Sequence, residues 1–292
     1  MAKVLIIGAG PAGVSAALYA RRGGMEVTVI SRGSETTGLA KAHLIENYYG
    51  FAEPITGAEL ARRGVEGAKR LGVEFIEDDV MGLTFNDAFT GFRAEMGKQS
   101  FEADSIILAA GASRSSLSIP GVREFEGRGI SYCAVCDAFF YRGKTAAVIG
   151  AGEYAVHEAK HLLPHAAKVV LLTNGEEPPA DIPAGLAVCT EKLKAVEGTQ
   201  RVERVQFADE TFLAVDGVFL ALGTAGSSEL ARKMGIMLDG SSIKTDEHMA
   251  TNIPGVFAAG DCTGGMLQVA KAVYEGASAG LAAVKFLREK NR

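Results

Sequence analysis

The chain has 292 residues and a formal net charge of −5, from 30 basic and 35 acidic side chains. Hydrophobic residues make up 48% and charged residues 22%, too apolar for a disordered chain and long enough for two cores at about 100–200 residues per domain. The charge balance excludes an electrostatic footprint for nucleic acid, and the 4 cysteines exclude a disulfide scaffold. The 36 glycines follow no Gly-X-Y period, so they must serve turns and close backbone approaches.

Residues Lys3–Ile7 (KVLII) form an apolar run that stops at glycine, the pattern of a buried parallel strand. The segment Gly8-Ala9-Gly10-Pro11-Ala12-Gly13 follows. It opens a helix over Pro11–Arg22, with Val14, Ala17, Leu18 and Arg21 on a 3.6-residue period. Glu26–Ile30 (EVTVI) is the next strand and completes a βαβ unit. Glycines so spaced between strand and helix form the dinucleotide fingerprint. Gly8 permits the tight turn, Gly10 lets a pyrophosphate approach the backbone, and Gly13 allows close helix packing. The helix N-terminus supplies N–H groups for phosphate. The acidic ribose partner usual after the second strand is missing, and Ser31 and Arg32 stand there. The uncharged stretch Val4–Ala20 is too short and glycine-rich for a membrane span. A strand begins almost at the first residue, so the start does not read as a signal peptide, and the expectation is a cytoplasmic protein.

Further along, Ser105–Ala109 reads as a strand running into Ala110-Gly111-Ala112. Then comes Cys133-Ala134-Val135-Cys136-Asp137. In a reducing cytosol such a pair suggests redox chemistry or half a zinc site. Cys189 and Cys262 are single and no histidine lies near Cys133, so zinc lacks further ligands. Asp137 beside a dithiol can shuttle protons. A second βαβ pattern follows, with a strand Lys144–Ile149, Gly150-Ala151-Gly152, a helix to Leu163 and a strand Lys168–Leu172. Here Glu153 and Tyr154 open the helix, where a pyrophosphate would sit, and the strand runs into Thr173-Asn174-Gly175-Glu176-Glu177. His157, His161 and His165, at i,i+4 spacing, read as surface histidines, and Cys189 in an apolar run reads as buried. A strand Gly255–Phe257 leads into Ala258-Ala259-Gly260-Asp261. That places a carboxylate at the strand edge where open α/β sheets bind ligands, or else a helix N-cap. A long amphipathic helix, Leu267–Leu287, closes the chain. The simplest arrangement is α/β, with two Rossmann-like, three-layer nucleotide-binding-type domains. Residues 1–115 and 245–292 build the first, and residues 116–244 are inserted as the second.

Taken in order, Gly8–Gly13, Glu46-Asn47-Tyr48-Tyr49-Gly50, Ala109–Ala112, Cys133–Asp137 and Gly255–Asp261 resemble the low-molecular-weight flavin thioredoxin reductases over essentially the whole chain. The resemblance implies non-covalent FAD in the first domain, a redox-active disulfide in the second, thioredoxin as substrate, and a homodimer. By the same resemblance Gly8, Gly10, Pro11, Ala12 and Gly13 serve the FAD pyrophosphate. Ser31, Leu39, Val80, Ala110, Gly111 and Gly260 contribute to the cofactor site, Val80 by its backbone to adenine. Asn47 lies near the isoalloxazine, Asp261 binds the ribityl chain, and Gln268 and Val269 reach the pyrimidine side. Cys136 faces the flavin, Cys133 is the exposed interchange thiol, and Asp137 is the acid/base.

The pattern breaks at the second fingerprint. NADPH-using members carry a His-Arg-Arg segment there that holds the 2′-phosphate, whereas Thr173–Glu177 carries no cation. The segments Asn47–Phe51, Gly127–Tyr132, Ala259–Gly264 and Lys271–Gly276 resemble the subgroup that takes electrons from ferredoxin, which makes ferredoxin the expected donor. Arg62, Arg63, Lys69 and Arg70 are candidate docking charges or simply a solvated helix face. An NADH- or deazaflavin-dependent reductase of another disulfide partner, and a non-catalytic flavin-binding redox sensor, stand as alternatives.

Overall fold

The computed structural model describes residues 1–97, 99–111, 119–222 and 226–290. Strand β1 (Lys3–Ile7) sits in the middle of a parallel sheet, which is why its apolar residues run on instead of alternating. Helix α1 (Pro11–Arg22) follows with proline at its first position, where the missing N–H costs nothing. Then come β2 (Glu26–Ser31), α2 (Gly57–Arg70) and β3 (Glu74–Glu77). An antiparallel group follows, β4 (Val80–Phe85), β5 (Phe92–Met96) and β6 (Gln99–Ala103), and β7 (Ser105–Leu108) returns to the parallel sheet.

The second unit repeats the scheme. It contains β8 (Ile130–Ser131), α3 (Ala134–Asp137), β9 (Thr145–Ile149), α4 (Glu153–Leu162), β10 (Lys168–Leu172) and β11 (Leu186–Cys189). A second antiparallel group, β12 (Leu193–Gly198), β13 (Val202–Phe207) and β14 (Phe212–Ala214), precedes β15 (Gly217–Leu220). The chain ends with α5 (Ser227–Lys233), β16 (Leu238–Asp239), β17 (Ser242–Ile243), β18 (Val256–Ala258) and α6 (Val269–Lys290). The parallel sheets have the orders β18-β7-β1-β2-β3 and β11-β10-β9-β15-β8, the α/β architecture expected.

The units are Met1–Ser113 with Gly226–Arg292, and Arg114–Ala225. The expected boundary between 115 and 116 lies outside the described residues. The expected boundary near 245 is corrected to 226, because α5 and the β16–β17 hairpin belong to the first unit. Ala110 N donates to Ser227 Oγ at 3.0 Å, and Lys233 Nζ donates to Met81 O at 2.8 Å. Strand β7 stops one residue before the expected Ala109, β18 is shifted one residue toward the C-terminus, and α6 runs from 269 to 290.

Small residues let α1 and α6 meet backbone to backbone. A Cβ on Gly276 would stand 2.1 Å from Ala12 O, and one on Gly280 2.6 Å from Ala16 O. Gly276→Ala must therefore push the helices apart. We expect a loss of about 2 kcal/mol in urea unfolding, despite alanine's better helix propensity.

Candidate active site

The first sheet brings the expected cofactor segments to the C-terminal ends of its strands. Gly8–Gly13 follow β1, Ser31 ends β2, Ala110 and Gly111 follow β7, and Gly260 and Asp261 follow β18. Val80 opens β4 just beyond β3 and is buried. The resemblance segment's Ala112 lies outside the described residues. The turn after β1 has room for a pyrophosphate. Gly8 has φ +111°, and its Cβ would lie 2.4 Å from Ala109 O. A Cβ on Gly13 would lie 1.9 Å from Gly8 O. A Cβ on Gly10, by contrast, would meet nothing within 4 Å, so open space stands before the first N–H groups of α1. These residues fit a dinucleotide.

Asn47 Nδ2 donates to Gln268 Oε1 at 3.1 Å, which ties the segment before α2 to the residue before Val269, the first of α6. Leu39 is half-buried, and its carbonyl accepts from Ala42 N at 2.9 Å. Arg32 is engaged by Asp79, with Nε 2.8 and 2.7 Å from the two carboxylate oxygens.

Sequence reasoning missed what holds the Gly260 turn. Glu275 Oε2 accepts from Gly260 N at 2.8 Å and Thr263 Oγ1 at 2.9 Å. Lys271 Nζ donates to that carboxylate at 2.9 Å, and to Gly260 O and Thr263 Oγ1, each at 3.0 Å. Gly260 has φ +87°, so the network fixes a backbone that only glycine adopts easily, directly before Asp261. The Lys–Glu spacing is legible in sequence, but the turn it grips is not. Both side chains are largely buried, at 15% and 11% exposure. Lys271→Met leaves a buried carboxylate without its cation, and we expect it to lose about 3 kcal/mol in urea unfolding.

Cys262, beside Asp261, is fully buried, and burial pushes its thiol up to about 11. Its sulfur lies 3.3 Å from Ala259 O and 3.5 Å from Leu108 O. At neutral pH it is an inert thiol rather than a nucleophile. The raised value contributes stability that is complete below the ordinary thiol range and is lost as pH rises through about 11.

In the second unit Cys133 and Cys136 are joined in a disulfide, with Cα atoms 5.3 Å apart. Cys133 caps α3, and its Sγ accepts from Cys136 N at 3.2 Å. Cys133 N donates to Ser131 Oγ at 3.1 Å, and Ser131 Oγ donates to Asp137 Oδ2 at 2.7 Å. The Asp137 carboxyl is thereby folded back onto the strand that leads into the pair. The expected exposure of Cys133 is corrected. Cys133 is buried at 5%, because as N-cap it turns into the packed start of α3, while Cys136 one turn on is exposed. A second residue missed from sequence is Glu158. It is 1% exposed, and its Oε2 accepts from Ala134 N at 2.8 Å. Its signal was its place among buried Tyr154, Ala155, Ala159 and Leu162 on one face of α4. Phe139 and Phe140, just after the pair, are each 67% exposed.

The second fingerprint keeps its turn. Gly150 has φ +155°, and its Cβ would lie 2.1 Å from Ala221 O. Glu153 takes the first helical position and is exposed, while Tyr154 is a core side chain at 2% exposure. The end of β10 closes on itself. Thr173 Oγ1 donates to Glu176 O at 2.5 Å, and Glu176 N returns to Thr173 O at 3.2 Å. Asn174, at φ +54°, accepts from Leu193 N at 2.8 Å. The Lys192 side chain runs beside Gly175, its Cγ 3.1 Å and its Cε 3.2 Å from where a Cβ would stand. Glu176 and Glu177 are exposed.

Two surface expectations are corrected. His157 and His161 are half-buried, with Nε2 atoms 3.3 Å apart, because both lie beside the buried stripe of α4; His165 is exposed. Cys189 is half-buried, because β11 is a sheet edge. Arg62 and Arg63 stand on the solvated face of α2, one of the two readings the sequence offered. Both pair with Glu59 at 2.8 and 2.7 Å, and Arg62 also pairs with Glu66. The two arginines hold the Glu59 carboxyl down to about 2.

Comparison with known proteins places these features. The family model of the pyridine nucleotide-disulphide oxidoreductases matches residues 2–276. A thioredoxin reductase of Listeria monocytogenes is 35% identical over 98% of this chain and 94% of its own length. The crystal structure of the atypical thioredoxin reductase of Desulfovibrio vulgaris is 40% identical, with a TM-score of 0.93 over 99% of each chain. That of a ferredoxin-flavin thioredoxin reductase of Clostridium acetobutylicum is 32% identical, with a TM-score of 0.74 over 99% of this chain and 98% of its own.

Proposed function

The chain belongs to the pyridine nucleotide-disulphide oxidoreductase family and, within it, to the low-molecular-weight thioredoxin reductases, and from that premise we propose that it carries electrons from reduced ferredoxin to thioredoxin. It is a flavoprotein disulfide oxidoreductase whose cofactor is FAD. The open space before α1 and the Gly260–Asp261 turn are the residues that would hold it, with Asn47, Gln268 and Val269 at the ring. When bound, FAD supplies the two-electron reductant for a disulfide and accepts electrons singly.

The protein's own residues do the rest. Reduction of Cys133–Cys136 takes two electrons and two protons. The Cys133 thiolate then attacks one sulfur of the thioredoxin disulfide and expels the other as a thiolate. Cys136 attacks the Cys133 sulfur of that mixed disulfide, which releases thioredoxin dithiol and restores the pair. Cys133 is the nucleophile of this reading because its sulfur accepts an N–H of the α3 turn, which favours the thiolate. Asp137, held by Ser131, is the group that gives and takes the proton. The exposed Phe139 and Phe140 offer apolar surface to a protein partner beside the disulfide.

The observation that carries the choice of donor is the closed turn at Thr173–Glu177. It offers carboxylates where a 2′-phosphate needs cations, while Glu153 stands at the start of α4. A homodimer in the cytoplasm belongs to it, and among the described residues no helix is long and apolar enough to cross a membrane. The test is an anaerobic flavin absorbance titration with oxidised thioredoxin present, adding NADPH, NADH and reduced ferredoxin separately.

A further inference from the structure

We propose that Glu158 is a positioning residue for the redox pair, one that fixes the first turn of α3 and, through its charge, restrains Cys133 from becoming a thiolate. The inference rests on the Cys133–Cys136 pair cycling between disulfide and dithiol. Glu158 lies on the packed face of α4, where an apolar side chain would fill the space without the cost of burying a carboxyl group. Its Oε2 takes the N–H of Ala134, the residue directly after Cys133, at 2.8 Å. The Cys133 sulfur takes the N–H of Cys136, two residues further on, at 3.2 Å. One short turn thus divides its amides between a carboxylate and a sulfur.

That division has a direction. A thiolate at a helix start is stabilised by the N–H groups around it. A carboxylate that occupies one of those groups withdraws a donor and adds a like charge. The reduced pair is therefore held at higher free energy, and it gives up its electrons more readily. The other titratable groups on α4 and on the elements packed against it are Glu153, Tyr154, His157, Lys160, His161, Asp137, Tyr141 and Lys168. Glu158→Gln leaves all of them unchanged while keeping an oxygen that can accept from Ala134 N.

The experiment uses the FAD-loaded protein, equilibrated anaerobically at pH 7 with mixtures of reduced and oxidised dithiothreitol. Thiols are trapped with iodoacetamide and assigned by mass spectrometry, which separates Cys133 and Cys136 from Cys189 and Cys262. In Glu158→Gln the equilibrium should move about tenfold toward the dithiol, equivalent to about one pKa unit. Alkylation of Cys133, read at a pH low enough for the protonated thiol to predominate, should quicken about threefold, less than the gain in thiolate because a weaker base is a weaker nucleophile. Glu158→Asp, which keeps the charge, should stay within about twofold of the unmodified protein in the equilibrium. Gln and Asp variants that shift equally would show that shape, not charge, matters, and would overturn the inference. So would a Gln variant identical to the unmodified protein while that protein still reduces thioredoxin. A pair that never opens in the unmodified protein removes the functional reading itself, and this inference with it.

Discussion

Serine at either Cys133 or Cys136 lowers thioredoxin turnover by at least about a thousandfold, and the two variants fail differently. The exchange needs one sulfur to attack and a second to resolve, so neither single thiol completes a cycle. Cys136→Ser keeps the sulfur at the N-cap of α3, whose thiolate the turn stabilises. It should accumulate a covalent complex with thioredoxin, visible as a reducible band on a non-reducing gel. Cys133→Ser keeps the sulfur that is exposed but lies beyond the cap, and it should accumulate much less. The contrast matters because exposure alone points the other way. Cys133 is buried in the disulfide form, so its attack requires the turn to open after reduction. An adduct that forms in Cys133→Ser and not in Cys136→Ser would assign the exchange to Cys136. The cap hydrogen bond would then be structural only.

The elements legible in sequence were those with hard stops. Lys3–Ile7 ends at Gly8, Pro11 opens α1, and Lys168–Leu172 ends at the Thr173 turn, so these bounds agree with the structure. The return of the chain to the first unit was misplaced at 245 because α5 is only seven residues long. Its allegiance is set by the distant contacts of Ser227 with Ala110 and Lys233 with Met81. Sequence order put the Gly8–Gly13, Ala110–Gly111 and Gly260–Asp261 segments at strand ends, and a parallel sheet necessarily brings such ends to one edge. Which cysteine is buried was not legible, since both sit in the same four-residue turn and only the cap geometry separates them. Glu158 was not legible as part of the redox site, because 24 residues of chain separate it from the Ala134 amide it holds.

NADPH should bleach the flavin at least about a thousandfold more slowly than reduced ferredoxin does. An arginine–phosphate hydrogen bond contributes about 1.5–3 kcal/mol, and each 1.4 kcal/mol is a factor of ten in affinity. Two missing contacts of that kind already account for most of the expected loss. The turn in their place cannot supply them by a side-chain swing, because Thr173, Asn174 and the Glu176 backbone are committed to one another and to Leu193. The exposed carboxylates of Glu176 and Glu177 add repulsion of the same sign. NADH escapes the phosphate problem but not Glu153, which stands at the first position of α4 where a pyrophosphate would take the helix N–H groups. Its bleaching should be slow as well, and Glu153→Asn should raise it and still leave NADPH the slower of the two, because the 2′-phosphate finds no cation at the end of β10. A ferredoxin, by contrast, needs neither nucleotide cradle, so the same variant should leave its rate within about twofold, well inside one pKa-unit equivalent of free energy. Fast bleaching by NADPH would mean that phosphate is held elsewhere than the end of β10, and the case for a one-electron donor would fall with it.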